Sequence, residues 1–261
     1  PATQSLHWLD EHNLLAFHIK GTIIWWKLPV FLLDGNMELS STDKPQVRSI
    51  LIMSRTGLNV GIPMSFHHNK DKNMMFVGDS RGNIAAFDCN CEGGSDNPQS
   101  ALDVLSFTHK KEYVMDMIST ENGEGILSVG NDGFVHEAAI VLQDGSLKLR
   151  SVLHRPVSCL TGISYIWRAN LCQSQSIIVV GGYHGNKFIV WNLSEGYQLL
   201  CLDTGGRNRQ LELSTEFHGG LRPMSHSVAI LNANKNGTNE LLLHSHAHQC
   251  NQPSISTVSY G

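Results

Sequence analysis

MMFVGDSRGNIAAFD, Met74 to Asp88, is the stretch on which the fold turns. An apolar run meets a short polar turn ending in Arg81-Gly82 and is followed by a second apolar run, the pattern of a β-hairpin. Three other segments have the same shape: Leu14 to Leu28 (LLAFHIKGTIIWWKL), Gly125 to Ile140 (GILSVGNDGFVHEAAI) and Ile177 to Leu193 (IIVVGGYHGNKFIVWNL). Their turns carry Lys20-Gly21, Asp132-Gly133 and Gly185-Asn186. Glycine takes positive φ without steric cost and asparagine tolerates it, so two-residue hairpin turns are expected. The second turn residues, Gly21, Gly82, Gly133 and Asn186, lie 61, 51 and 53 residues apart. That spacing is somewhat longer than the roughly 40–45 residues of a four-stranded propeller blade.

Five residues after each of these positions stands Trp26, Phe87, Ala138 or Trp191, followed by Lys27, Asp88, Ala139 or Asn192. This is the place of the Trp-Asp pair that closes the third strand of a WD repeat. The remaining strands are expected at Ala101–Phe107 (outer) and Tyr113–Ser119 (inner), then at 147–152, 158–165 and 197–202. His109, Ser128 and Asp132 occupy the positions of three members of the hydrogen-bonded His, Ser and Asp series of a WD blade, with Ala138 where the tryptophan would stand. His154 takes the corresponding loop place in the next repeat. A β-sandwich also uses short strands and glycine turns, but it has no reason to repeat an aromatic at one offset from successive turns. The sequence therefore reads as an all-β, incomplete WD-repeat β-propeller: four blades over 1–205 and a partial or irregular fifth over 206–261.

Composition narrows the function. The 261 residues are 41% hydrophobic and 16% charged, which suits a packed protein, and no apolar run approaches the roughly 20 residues of a membrane span. A net charge of −4 argues against binding nucleic acid by bulk charge, so any such role has to be local or shared with a partner. Cys89, Cys91, Cys159, Cys172, Cys201 and Cys250 lack the dense spacing of a secreted disulfide scaffold, which points to reduced thiols and a cytoplasmic location. The acceptor-like Asn192-Leu-Ser194 and Asn236-Gly-Thr238 carry no weight without secretion. With Pro1 at one end and Ser-Tyr-Gly at the other, the chain is expected to be a piece of a longer protein.

No nucleophile elbow, P-loop, dinucleotide fingerprint or zinc-protease motif occurs, so no catalytic residues, cofactor or metal are assigned. His244, His246, His248 and Cys250 alternate along one apparent strand and are zinc-capable ligand types, but no carboxylate is placed to orient them. Cys89-Asn-Cys91 lacks the spacer of a redox pair, and Gly78-Asp-Ser-Arg-Gly82 lacks the helix start of a phosphate cradle. Lys148, Arg150, His154, Arg155 and Arg168 form a modest basic clustering that one solvated sheet edge would explain. Arg207 and Arg209, in Gly205-Gly-Arg-Asn-Arg-Gln210, sit in an expected loop near the propeller axis. Guanidinium groups suit phosphate or carboxylate recognition there, which makes these two the candidate contacts for RNA or a partner protein.

Five segments in order resemble the N-terminal part of the WD repeat-containing protein six family: Gly78–Asp88, His109–Met117, Gly181–Asn192, Gly205–Arg207 and Phe217–Gly220. The resemblance implies a long multi-propeller protein without catalysis of its own. It also implies a cytoplasmic FtsJ-type methyltransferase as partner, which modifies the ribose 2′-hydroxyl of the wobble nucleotide in the tRNA anticodon loop. S-adenosylmethionine would then belong to the partner. One departure stands out: only Asn208 to Glu216 separate the Gly-Gly-Arg stretch from Phe-His-Gly-Gly, too few for the three strands the family pattern would place there. The other function class open to such a chain is a protein-interaction scaffold in signalling or degradation that binds no RNA. A zinc enzyme is a more distant third.

Overall fold

The computed structural model describes residues 2–10, 12–28, 45–53, 60–90, 98–106, 108–172, 175–204, 211–214, 226–233, 239–246 and 254–259. These residues are all-β, with no helix among them and so none long and apolar enough to cross a membrane. They divide into two compact units, 1–166 and 167–261.

Sheet 1 of the first unit comprises β1 (Thr3–Asp10), β2 (Asn13–His18), β3 (Thr22–Lys27) and β4 (Gln46–Ile52), to which the two-residue β8 (Gln99–Ser100) adds in parallel. Sheet 2 is β5 (Pro63–Asn69), β6 (Met74–Asp79), β7 (Ile84–Asp88) and β9 (Asp103–Leu105). Sheet 3 is β10 (Val114–Ser119), β11 (Gly125–Gly130), β12 (Phe134–Gln143) and β13 (Ser146–Pro156). Sheet 4 is β14 (Gly162–Cys172), β15 (Gln175–His184), β16 (Lys187–Asn192) and β17 (Tyr197–Asp203), with the unit boundary falling inside β14. Sheet 5, in the second unit, is β18 (Leu211–Ser214), β19 (His226–Ala233), β20 (Asn239–His246) and β21 (Ser254–Ser259). Apart from β8, the strands in each sheet follow chain order. Sheet 5 runs as an antiparallel four-stranded meander through the segment for which the sequence predicts only a shortened repeat.

In the first unit, sheet 2 is packed on both faces, and alternation along its strands decides which residue goes where. Met75, Val77, Ala85 and Phe87 meet Leu15, Phe17, Ile23, Trp25, Leu51 and Met53 of sheet 1 and its margin. Their alternates Met74, Phe76, Ile84 and Ala86 meet Val114, Met117, Ile126, Ala138 and Leu149 of sheet 3. First strand lies beside first strand, with the Ser65 hydroxyl donating to Val114 O at 2.9 Å. Last lies beside last, with Leu149 N donating to Asp103 Oδ2 at 2.8 Å. At the outer edge β8 leaves sheet 2's own segment to pair with β4, latching sheets 1 and 2 together.

Each expected hairpin is present as a strand pair, but the turns differ from the two-residue form. Gly21, Gly82 and Gly133 have φ of +73°, +78° and +77°, and their N–H groups donate to His18 O, Asp79 O and Gly130 O. A turn closed on a left-handed glycine at its last position takes one residue more than a primed two-residue turn. Only the fourth hairpin is two-residue, Gly185 having φ +58° and His184 pairing with Lys187.

A second periodicity is not apparent in the sequence. Where first strand meets second, one residue of the first strand is skipped at the same place in each of sheets 1 to 3, Gln4, Met64 and Met115, and sheet 1 has a second such residue, Leu9, beside its β1–β2 turn. Where third meets fourth, the fourth strand carries an extra residue in sheets 1, 3 and 4: Arg48, Val152 and Leu199. The first set lies opposite the residues three and four before the turn glycine. The second lies opposite those four and five after the second turn residue. The five-residue offset of Trp26, Ala138 and Trp191 therefore marks a β-bulge, a device that bends and twists the strand where it sits.

Candidate functional site

His109 is the best-defined polar centre. The chain enters it from β9, and the Gly82 turn packs so closely on its backbone that a Cβ on Gly82 would lie 3.0 Å from His109 N. His109 is completely buried; its Nδ1 lies 3.0 Å from Asp132 Oδ1 and its Nε2 2.9 Å from the Ser128 hydroxyl. A carboxylate can only accept, so Nδ1 carries the proton, and in the neutral ring Nε2 accepts from Ser128. Burial pushes the Asp132 carboxyl up, but the bonds from His109 and from Phe134 N outweigh it and hold the group below its ordinary value. Ala138, where the sequence reading expects a tryptophan, is also completely buried and puts only a methyl group into the contact with sheet 2.

The series does not recur at His154. The sequence places His154 in a loop, whereas β13 continues to Pro156 and pairs His154 with His136. Its ring stacks on Phe134 at 4.4 Å and lies 5.6 Å from that of His136, which in turn is 6.3 Å from His109. Sequence reasoning passed over His136, whose Nε2 lies 3.0 Å from the Ser151 hydroxyl. Burial first, then the neighbouring charges of His109 and His154, lower its pKa to about 4. Among the described residues no group of three or more His, Cys, Asp or Glu side chains is arranged to hold a metal ion.

The aspartate of sheet 2 is the other feature that spacing did not reveal. Asp79, completely buried, accepts from Gly61 N, Arg81 N, Asn83 N and the Asn83 side-chain amide. Within Gly78–Gly82 the N–H groups of Ser80, Arg81 and Gly82 are already taken, by Ile62 O, the Asp79 carboxylate and Asp79 O, so this turn is no phosphate cradle. Asp88 and Asn192 have a shared local role, capping the turn after the third strand: Asp88 accepts from Asn90 N at 2.8 Å and Asn192 from Glu195 N at 3.0 Å. Trp191 and Trp26 are half-buried. In sheet 1 it is Trp25 that enters the core, its indole N–H bonded to Asn13 and the Arg48 guanidinium 4.3 Å above its ring. Alternation along β3 puts Trp25 on the same face as the buried Ile23 and Trp26 on the other.

The basic clustering separates. Lys148 lies 3.5 Å from Asp103, and Arg155 follows His154 directly, so it points to the opposite face of sheet 3. Arg150 is exposed on β13, and Arg168 belongs to the second unit. Asn186 is exposed in its turn and its carbonyl receives Thr204 N. Cys89 is buried in the core between sheets 1 and 2, and Cys159 and Cys201 are not disulfide-bonded. Asn192 is completely buried, so its acceptor pattern is closed. His244 and His246 fall on β20. Arg207, Arg209, His248, Cys91, Cys250 and Asn236 lie outside the described residues.

The same end of the first unit, where the Gly21, Gly82 and Gly133 turns emerge, also holds the turn His109–Glu112. Lys110 and Lys111 both have positive φ, +47° and +70°, and Glu112 N donates to His109 O at 2.7 Å, which makes this a type I′ turn. Lys110 Nζ lies 3.9 Å over the Phe134 ring. A scan against protein-family models finds no match for this chain, and a search of characterised proteins finds no relative.

Proposed function

We propose that the sheets are WD-type propeller blades and that the chain is a non-catalytic, cytoplasmic subunit that assists an FtsJ-type methyltransferase in 2′-O-methylation of the tRNA wobble nucleotide. Support for the architecture comes from the recurrent bulges at fixed offsets from the turn, from stacking of successive sheets first strand to first strand, and from the His109, Ser128 and Asp132 series. The choice of partner is carried by the five ordered segments between Gly78 and Gly220 that resemble the WD repeat-containing protein six family. On this reading S-adenosylmethionine and the catalytic residues reside in the partner, and the tRNA anticodon region is held jointly. Division of labour suits a chain of net charge −4, because contacts supplied by two tethered surfaces multiply through effective concentration.

Affinity purification of the full-length protein is expected to recover the methyltransferase, and deletion is expected to abolish wobble 2′-O-methylation until the gene is restored. Unchanged methylation on deletion overturns the reading. A general protein-interaction scaffold, which the acidic balance also suits, would instead recover peptide-bearing partners and leave tRNA modification intact.

A further inference from the structure

We propose that the end of the first unit carrying the His109–Glu112 turn is a binding surface for the phosphate backbone of single-stranded RNA. Charge in this unit is uneven between its ends, with cations gathered at one. At the turn end Lys20, Arg81, Lys110, Lys111 and Arg155 are exposed. The exposed carboxylate among them, Glu112, is engaged by Asn131 at 3.2 Å, and Asp132 is turned inward to His109. The opposite end, where β5 turns into β6 and β10 into β11, exposes Asp10, Asp71, Glu121, Glu124 and Asp144. Lys27, Lys70, Lys72 and Arg150 offset most but not all of these. A chain with an overall excess of acid thus presents a local basic end, the arrangement that electrostatic capture of a polyanion requires.

The backbone supplies a second, independent observation. A type I′ turn needs positive φ at both central residues, and Asn-Gly is the pair that adopts it readily. Here both places are lysine, each held in the left-handed region that a side chain with a Cβ disfavours. Strain retained at two consecutive exposed lysines points to a use for their charge. Lys110 is steadied over Phe134, which His154 backs from the stacked position. Tyr113, 45% exposed, follows the turn directly and adds an exposed aromatic ring to the same segment. Cations next to an exposed aromatic favour a nucleic acid strand, whose bases stack, over an acidic peptide, whose side chains do not. The choice of RNA over DNA rests on the reading under Proposed function.

The test titrates the full chain with a fluorescently labelled oligouridylate and repeats it with the Lys110→Asn, Lys111→Gly double variant, which removes both charges while installing the pair the turn prefers. Its melting temperature is expected to rise by roughly 2–4 °C, so a folding defect cannot explain lost binding. Losing two phosphate contacts to a single strand should flatten the slope of log affinity against log salt by about 1.4 and lower affinity about 25-fold at 0.1 M salt, with the two proteins converging near 1 M. Tyr113→Ala should weaken binding without altering the slope, because stacking releases no counterions. Absence of oligouridylate binding, or affinity and slope unchanged in the double variant, overturns the proposal. So does displacement by polyglutamate at equal charge concentration, which would assign the surface to acidic peptides. Methyltransferase recovery by the double variant separates the two claims: recovery with unchanged RNA binding defeats only this one, and lysine-dependent RNA binding without any methyltransferase defeats only the earlier reading.

Discussion

His109 organises its surroundings by satisfying two buried groups at once. Replacing it with alanine leaves the Asp132 carboxylate and the Ser128 hydroxyl without their shared partner, and the cost of stranded buried polar groups sets the expected loss at about 2–4 kcal/mol in denaturant melts. Ser128→Ala, which removes one neutral bond, should cost about 1 kcal/mol. The histidines also give stability a pH dependence. His67 and His136 titrate at about 4 in the folded chain, each lowered chiefly by burial, against 6.5 for the free side chain. Between those values the unfolded chain takes protons that the folded chain refuses, so stability should fall as pH drops from 6.5 towards 4. Asp116 works in the opposite sense. Burial raises it to about 6, so between 3.8 and 6 the folded state binds the extra proton and gains stability as pH falls. Thermal melts from about pH 7 to about 4.5 should show a net decline, steeper in Asp116→Asn and shallower in His136→Gln. At this scale the His109 series was legible, because its members stand at fixed distances from a recognisable turn. Asp79 was not, since it reaches the same kind of turn from a different position. Trp25 and Trp26 could not be separated either, because the run Ile23 to Trp26 is apolar throughout and its alternation does not say which face meets sheet 2.

Among the elements, the hairpins were legible because everything that makes them is local: two apolar runs and a residue free to take positive φ. The bulges were not, because an extra residue is defined only against a partner strand, and pairing is absent from a linear pattern. Turn length was misjudged for a related reason, since a left-handed glycine closes both two-residue and longer turns. Two glycines of similar φ separate conformation from packing. Gly145, φ +71°, has nothing within 4 Å of the point a Cβ would occupy, so Gly145→Ala should cost only the left-handed penalty of about 1 kcal/mol. Gly133, φ +77°, would place that Cβ 2.7 Å from the Leu160 carbonyl, and Gly133→Ala should cost at least twice as much. Equal losses in the two variants would mean that the β13–β14 connection yields readily, contrary to its close packing on the turn.

For the molecule as a whole, sheet 1 differs from sheet 2 in having one apolar face covered and a second that is partly open. Cross-strand rows Leu6, Ala16, Ile24, Ile50 and Trp8, Leu14, Trp26, Val47 run across the face turned away from sheet 2. Leu6 is 61% and Trp8 59% exposed. Such a surface drives association in water, so Leu6→Lys with Trp8→Lys should shift the isolated chain towards monomer in sedimentation velocity without lowering its melting temperature. An unchanged size distribution would count against self-association through this face. Sheet 2 has the reverse character. Every residue of β6, Met74 to Asp79, is buried, with strands on either side and sheets above and below. Its paired amide protons have no local route to solvent, so their deuterium exchange should proceed only through opening of the whole first unit, whereas those of β1, at a sheet edge, should exchange by fraying. A label retained in β6 therefore acts as a clock, recording how often that unit unfolds.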